Sequence, residues 1–180
     1  MKKLLTVLVV LGLLGVANVW ADSSTQDVTL TVTPIVTALF SISPNSYAYG
    51  NLDLAISSVS VSGALCPVIT NSGKAGLTFE KTVNADDDWV IATSTTTTDN
   101  FVLWAMTNTS RPNIGDFTVG NTHRFETTLG TYNNLTNSAG TQVSLIPDAT
   151  ADLYFRIDTP SKVTDGNQVS IVVRIRGTTQ

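Results

Sequence analysis

The chain has 180 residues, a formal net charge of −4 and only 13% charged side chains. A mildly acidic chain with scattered Lys and Arg has no electrostatic footprint for nucleic acid and no basic patch for anionic lipid. An apolar content of 42% argues against disorder, because disordered chains are less hydrophobic and more charged. The composition is therefore that of a folded protein with neither of those two partners.

The first 21 residues have the three-part layout of a secretory signal peptide. Lys2 and Lys3 form a basic start, residues 4–16 are uncharged and mostly apolar, and residues 19–21 (VWA) resemble a small-x-small cleavage signal before Asp22. The apolar run is too short to favour a permanent membrane span. We therefore expect a secreted, extracellular or cell-envelope protein whose mature chain begins at Asp22 and has no permanent span after cleavage.

The remaining residues, 22–180, have a length that suits one domain with a sizeable core. They contain eight basic and fourteen acidic residues, which gives a net charge of −6. Cys66 is the single cysteine, so an intrachain disulfide is impossible, and its apolar surroundings in residues 65–69 predict a buried, inert thiol. We expect no cofactor.

Alternating apolar and polar residues predict short strands through the first half of the chain. Val28, Leu30 and Val32 alternate with threonines, and the following Pro34 makes this an edge strand or a bent one. Residues 71–74 (NSGK) predict a hairpin-like turn. The other strand candidates of this half are residues 40–42, 56–61, 65–70, 77–80 and 89–91.

The second half begins with residues 101–106, which are apolar on both faces and predict a strand in the middle of the core. Residues 108–140 are rich in turn formers, with short strand candidates near Phe117 and Phe125. Leu153, Phe155 and Ile157 alternate with polar residues and Tyr154. In the last strand the core-facing residues are Val169, Ile171, Val173 and Ile175.

The period-2 pattern predicts an all-β protein, because no ten-residue window after the signal has helical spacing of apolar residues. Eight to ten short strands separated by turn signals predict a single antiparallel β-sandwich over residues 22–180.

Several sequence segments occur in an order that is typical of one known group of β proteins. They are Ser43-Pro44 followed by residues 49–52 (YGNL), residues 68–73 (VITNSG), residues 153–160 (LYFRIDTP) and residues 169–176. This order resembles the immunoglobulin-like β-sandwich modules of bacterial secreted and surface proteins and, more loosely, the WxL-type cell-wall-associated domains. The resemblance implies an immunoglobulin-like topology. Residues 89–91 (WVI) and 103–105 (LWA) depart from the paired Trp-x-Leu motifs of the wall-binding group.

Candidate ligand-binding residues of two kinds follow from this sequence. Asp86, Asp87 and Asp88, with Asp99 or Asp116, offer oxygen ligands for Ca²⁺, although solvated loop acids are the alternative interpretation. Four aromatic residues are candidates for stacking on sugars: Trp89, Trp104, Tyr132 and Tyr154. Of these we favour Trp89 and Tyr132 as surface residues, because Trp104 lies in the most apolar strand.

Catalytic chemistry has little support in this sequence. His123 is the only histidine and lies in a loop-rich stretch, which predicts a solvated side chain. No Gly-x-Ser-x-Gly motif is present. Glu80 and Glu126 are the only glutamates, although a pair of carboxylates that meet in space is invisible in a sequence.

The leading hypothesis is therefore a non-enzymatic extracellular or cell-surface protein with a structural or adhesive role. Its partners would be its own copies or a surface protein or polysaccharide. The alternatives are an envelope carbohydrate-binding module and, less favoured, a small secreted hydrolase. Residues 27–37 offer a route to self-association, because an N-terminal edge strand can pair with a neighbouring sandwich instead of its own. Pairing within its own domain is the alternative.

Overall fold

The computed structural model describes residues 38–85, 88–95 and 97–180, without the side chains of residues 85 and 118–121. They fall in one compact unit, Ile35–Gln180. The expected signal peptide and the expected strand at Val28–Val32 lie outside the described residues, so both stay predictions. Within the described part of the chain, no helix is long and apolar enough to cross a membrane.

The described residues are nearly all β, which confirms the predicted all-β class. Their elements are β1 (Phe40–Ser43), β2 (Ser57–Val59), β3 (Val68–Asn71), β4 (Leu77–Ala85), β5 (Val90–Ile91), β6 (Asn100–Thr107), a 3-10 helix (Ile114–Asn121), β7 (Asn133–Asn134), β8 (Thr136–Asn137), β9 (Ser144–Leu145), β10 (Thr150–Asp158) and β11 (Val172–Thr179).

These strands form two sheets in which most pairs are antiparallel. Sheet 1 has the order β1-β3-β10-β6-β5, with β2 beside β10 and β8 beside β6. Only the pairs β5/β6 and β6/β8 are parallel. Sheet 2 has the order β11-β4-β7, with β9 also beside β4, and all of its pairs are antiparallel.

The main core lies between the two sheets. Leu77, Phe79 and Val83 of β4 point inward because successive side chains of a strand alternate between its faces. They pack in one cluster with inward residues of sheet 1, among them Phe101 and Leu103 of β6. Burying each such side chain contributes about 1.5–3 kcal/mol, so this cluster stabilises the pairing of the sheets.

A second apolar cluster covers the opposite face of sheet 1. Val102, Trp104 and Met106 of β6, Tyr154 of β10 and Val59 of β2 belong to this cluster, together with Cys66 and Phe117 from outside the sheet. β6 is thus buried on both faces, which confirms the prediction for residues 101–106. Cys66 is buried, as expected.

The turn at residues 71–74 does not form the predicted hairpin. β3 belongs to sheet 1 and β4 to sheet 2, so this turn carries the chain from one sheet to the other. The buried amide of Asn71 holds the turn, since its Nδ2 donates to Ala75 O at 2.8 Å and to Leu145 O at 2.9 Å. Turn residues specify a reversal of the chain but not which strands pair afterwards.

Two expectations for the middle and end of the chain need correction. Phe117 lies in a 3-10 helix rather than a strand, and Arg124, next to Phe125, forms only an isolated bridge to Trp104. The last strand begins at Val172, later than predicted, while Val173 and Ile175 pack against the core as expected. They are half-buried rather than fully buried, because β11 lies at the margin of its sheet.

Candidate functional site

The acidic residues proposed for Ca²⁺ have different surroundings. Asp88 is exposed, whereas Asp86 and Asp87 lie outside the described residues. Asp99 accepts a 2.7 Å hydrogen bond from the Thr164 backbone N–H and a second from the Thr164 hydroxyl. Asp99 therefore joins its own loop to the one before β11, and no group of three metal-binding side chains occurs among the described residues.

Asp116 also has a partner in its own loop. Its carboxylate accepts a 2.7 Å hydrogen bond from the backbone N–H of Asn113, at the start of the 3-10 helix. That bond satisfies a donor that the beginning of a helix leaves without an intrahelical partner. The calcium hypothesis therefore stays a prediction that depends on residues 86–88.

The two favoured aromatic candidates have separate environments. Trp89 is half-buried against the main core, and its ring centroid lies 6.3 Å from that of Phe101. Tyr132 is half-buried with the Arg176 guanidinium 4.0 Å from its ring centroid, and Arg176 also binds Glu80 at 2.6 Å. One face of Tyr132 is thus occupied by a cation.

The other two aromatic residues are core residues. Trp104 is buried, as expected, with the Arg156 guanidinium 4.2 Å from its ring centroid. Tyr154 is also buried, so the interpretation of its ring as a sugar-stacking surface is wrong. The alternation around Tyr154 correctly placed it opposite Leu153, but the face opposite the main core is itself covered.

Two arginines join the covering layer to sheet 1. Arg111 donates to the carbonyls of Val59 at 2.7 Å and Ser60 at 3.0 Å. Arg156 donates to Ile114 O at 3.0 Å and forms a bidentate pair with Asp158 at 2.8 and 2.9 Å. These bonds attach the loop of Arg111 to β2 and the 3-10 helix to β10, both strands of sheet 1.

His123 is buried, so the prediction of a solvated loop histidine is wrong. Its side chain is 0% exposed, its Nε2 lies 2.8 Å from Asn137 O, and its Nδ1 has no hydrogen-bond partner among the described residues. Residues 123–125 run beside β6, where Ala105 N donates to His123 O and Phe125 N donates to Leu103 O. The ring therefore bonds to a carbonyl rather than to the nucleophile or carboxylate that a catalytic base requires.

Lys81 is the most unusual ionisable residue, and the sequence analysis did not single it out. It is 0% exposed, and its Nζ donates to Asn134 O at 2.6 Å and to Thr122 O at 3.1 Å. Burial lowers the pKa of its amine to about 7, an effect that Glu126 partly opposes. The inward alternation of Leu77, Phe79 and Val83 was the signal that could have placed Lys81 on the same face.

Lys81 lies beside the segment that passes from sheet 2 to sheet 1. β7 pairs with β4 of sheet 2, and β8, two residues later, pairs with β6 of sheet 1. Residues 133–137 thus cross between the sheets beside the lysine amine. The amine bonds to the carbonyls of Thr122 and Asn134, which stand on either side of residues 123–133. The geometry makes Lys81 a tie between main-chain segments.

The described surface also contains a shallow polar cleft of about 480 Å³ where β6, β8 and β10 meet. Asn108, Thr109, Ser138, Thr150 and Asp152 are among the residues that line it. Their hydroxyl, amide and carboxylate groups are the kinds of group that bind polar ligands. This cleft is a candidate site that the sequence analysis missed, because its residues are far apart in the chain.

Comparison with known proteins adds no relative to this description. No family model, no curated protein and no solved structure matches the chain. The class of protein is therefore defined here by the fold, a nearly all-β arrangement of two mainly antiparallel sheets with a core between them.

Proposed function

We propose that the chain is a non-enzymatic extracellular or cell-surface protein whose immunoglobulin-like β-sandwich has a structural or adhesive role. The observation that carries this proposal is the use of three cations that bind the chain itself. The buried Lys81 and Arg156 and the exposed Arg111 all donate to main-chain carbonyls that join one segment of the fold to another. In enzymes, strongly perturbed ionisable groups concentrate in a cleft where they act on substrate.

Other features support the same function. Lys81, whose pKa burial lowers, faces the inside of the sandwich and binds the chain itself. The two packed, mainly antiparallel sheets support the immunoglobulin-like arrangement, and the turn at residues 71–74 supports it because it passes from one sheet to the other. Export rests on the signal-like first 21 residues.

The experiment is to express the full-length gene product in a bacterium that exports proteins, and then to fractionate the culture. We expect a product that begins at Asp22 by mass spectrometry and is found in the medium or envelope. Light scattering should show particles whose mass rises with protein concentration. A cytoplasmic product that still begins at Met1 and stays monomeric would contradict the proposal.

Carbohydrate binding is the second candidate, and the polar cleft next to Asp152 is the observation that favours it. Groups of this kind bind sugar hydroxyls, and Tyr132 lies elsewhere with one ring face occupied by Arg176. A glycan array probed with the wild type and with Asp152→Ala tests the cleft. Glycan binding that the substitution abolishes would favour carbohydrate binding over the structural role. If the wild type binds no glycan on the array, the carbohydrate-binding function is refuted. Asp53→Ala is the matched control, since Asp53 is exposed and does not line the cleft.

A further inference from the structure

β11 has the longest open edge in the described part of the chain. Its eight residues, Val172–Thr179, pair on one side with β4, and no described residue pairs with its other side. Such an edge presents a row of unpaired N–H and C=O groups to a further strand. The other strands at sheet margins have at most four residues.

The inner face of β11 is incompletely covered. Val173 and Ile175 point toward the main core but are only half-buried, whereas Phe79 and Val83 on the neighbouring β4 are fully buried. A strand added beside β11 would extend sheet 2 and bury more of these two side chains, provided that its own inward residues are apolar.

The charges on β11 restrict which strand can be added. Arg174 and Arg176 are both exposed; Arg176 is paired with Glu80, and Arg174 has no ion pair with any described residue. Two β11 strands pairing edge to edge would bring like charges together, which is destabilising. The open edge therefore suits a strand that has apolar residues on one face and an acidic residue rather than a basic one.

Residues 27–33 (DVTLTVT) have these properties and lie outside the described residues. Val28, Leu30 and Val32 would lie on one face, and Asp27 would share the other face with threonines. Seven residues in a strand span about 23 Å, close to the roughly 26 Å of an eight-residue strand. The segment begins a few residues after the expected cleavage site, near the free end of the mature chain.

We propose that the open edge of β11 binds residues 27–33 of a second copy of this chain as an added strand. This inference deepens the proposed function and rests on it, because it names the surface through which copies associate. Each copy then carries one donor segment and one acceptor edge, so the contact is head-to-tail and repeats along a fibre unless it closes into a ring.

Hydrogen exchange of the exported full-length product tests the acceptor edge. The amides of residues 172–179 that point away from β4 should exchange at least about tenfold more slowly at high than at low protein concentration, in step with particle mass from light scattering. Leu30→Lys should abolish both changes, since it puts a charge on the face that meets the core. Thr29→Lys, on the opposite face of the same segment, should retain both.

A mixing experiment tests the polarity of the contact without relying on one variant. A Leu30→Lys molecule keeps its acceptor edge, so adding it to the wild type should cap fibres and reduce particle mass as its share rises. A synthetic peptide of residues 22–33 should do the same, and it tests the acceptor edge even if Leu30→Lys does not fold.

Three results would overturn the inference, and each contradicts a different part of the account. A monomer whose residues 172–179 are protected equally at every concentration would mean that the edge is covered within one chain. Association without added protection of β11 would move the interface elsewhere and leave the proposed function standing. A monomer with unprotected β11 amides would contradict both the inference and the self-association in the proposed function.

Discussion

The buried amine of Lys81 donates a 2.6 Å hydrogen bond to the main-chain carbonyl of Asn134. This bond joins β4, the central strand of sheet 2, to the point where the chain crosses toward sheet 1. The lysine forms no ion pair with a carboxylate among the described residues. Main-chain dipoles, the Phe125 ring at 5.5 Å and the charge of Glu126 stabilise its charged form, but they do not offset the effect of burial. An unpaired buried charge is costly, and the cost must depend on pH.

We therefore expect stability to rise with pH above neutrality because of Lys81. Its pKa is about 7 in the folded chain and 10.5 ordinarily, so the unfolded chain binds more protons between these values. Burying Lys81 costs most below pH 7, where the amine is charged in both the folded and the unfolded chain. The cost falls as the pH rises from 7 and disappears above 10.5, where the amine is neutral in both states. The slope in this window is about 1.4 kcal/mol per pH unit for one group.

Urea unfolding from pH 7 to pH 9.5 checks this expectation. The unfolding free energy of Lys81→Met should rise less steeply with pH than that of the wild type, because the variant has no amine at this position to titrate. Lys74→Met is the control, because Lys74 is exposed in the turn before β4. Equal slopes for the wild type and Lys81→Met would show that the amine keeps its ordinary pKa.

The Arg156–Asp158 pair gives a second prediction. Arg156→Met should destabilise the fold by about 3 kcal/mol, because it leaves Asp158 without its partner and removes the cation from the Trp104 ring. The double variant Arg156→Met, Asp158→Leu should lose less, since no charge is left unpaired. Denaturant unfolding followed by Trp fluorescence measures both, and a double variant less stable than the single one would refute this explanation.

Gly177 on β11 gives a third prediction, which concerns close packing. A Cβ at this position would lie 3.0 Å from Cδ1 of Phe40 and 3.3 Å from Cε1 of Phe79. Gly177→Ala should therefore cost about 1–3 kcal/mol, the range for overpacking a core. Phe40→Leu should recover part of that loss in the double variant. Additive effects of the two substitutions in thermal unfolding would mean that the contact is absent.

Half-burial of the last strand gives a fourth prediction. Ile175→Ala should cost less than Phe79→Ala, for which about 3–5 kcal/mol is expected of a fully buried side chain. The two variants are compared at low protein concentration, where β11 has no added strand. Equal losses would show that the inner face of β11 is as well covered as the centre of the sheet.

The sequence predicted the strands whose pattern is decided locally. β4 and β11 follow the period-2 alternation, and residues 101–106 were correctly placed in the centre because both of their faces are apolar. The same pattern could not show which sheet a strand joins, since alternation reports only which side chains share a face. The crossing at residues 71–74 was therefore missed.

The candidate sites were harder to predict because they depend on contacts between distant residues. His123 is buried by its pairing with β6, eighteen residues earlier, and its loop-like surroundings in the sequence give no sign of this. Lys81 is buried by residues 122 and 134, and the polar cleft combines three strands. For Tyr154, the alternation predicted the correct face of the sheet, but it could not show that this face is itself buried in a second apolar cluster.

Sedimentation velocity of the exported full-length product over a hundredfold concentration range tests the central claim most directly. The account predicts a series of species whose sizes are whole multiples of the monomer and grow with concentration, and Leu30→Lys should reduce the series to the monomer. A single monomeric species at every concentration, in the wild type as in Leu30→Lys, would contradict it.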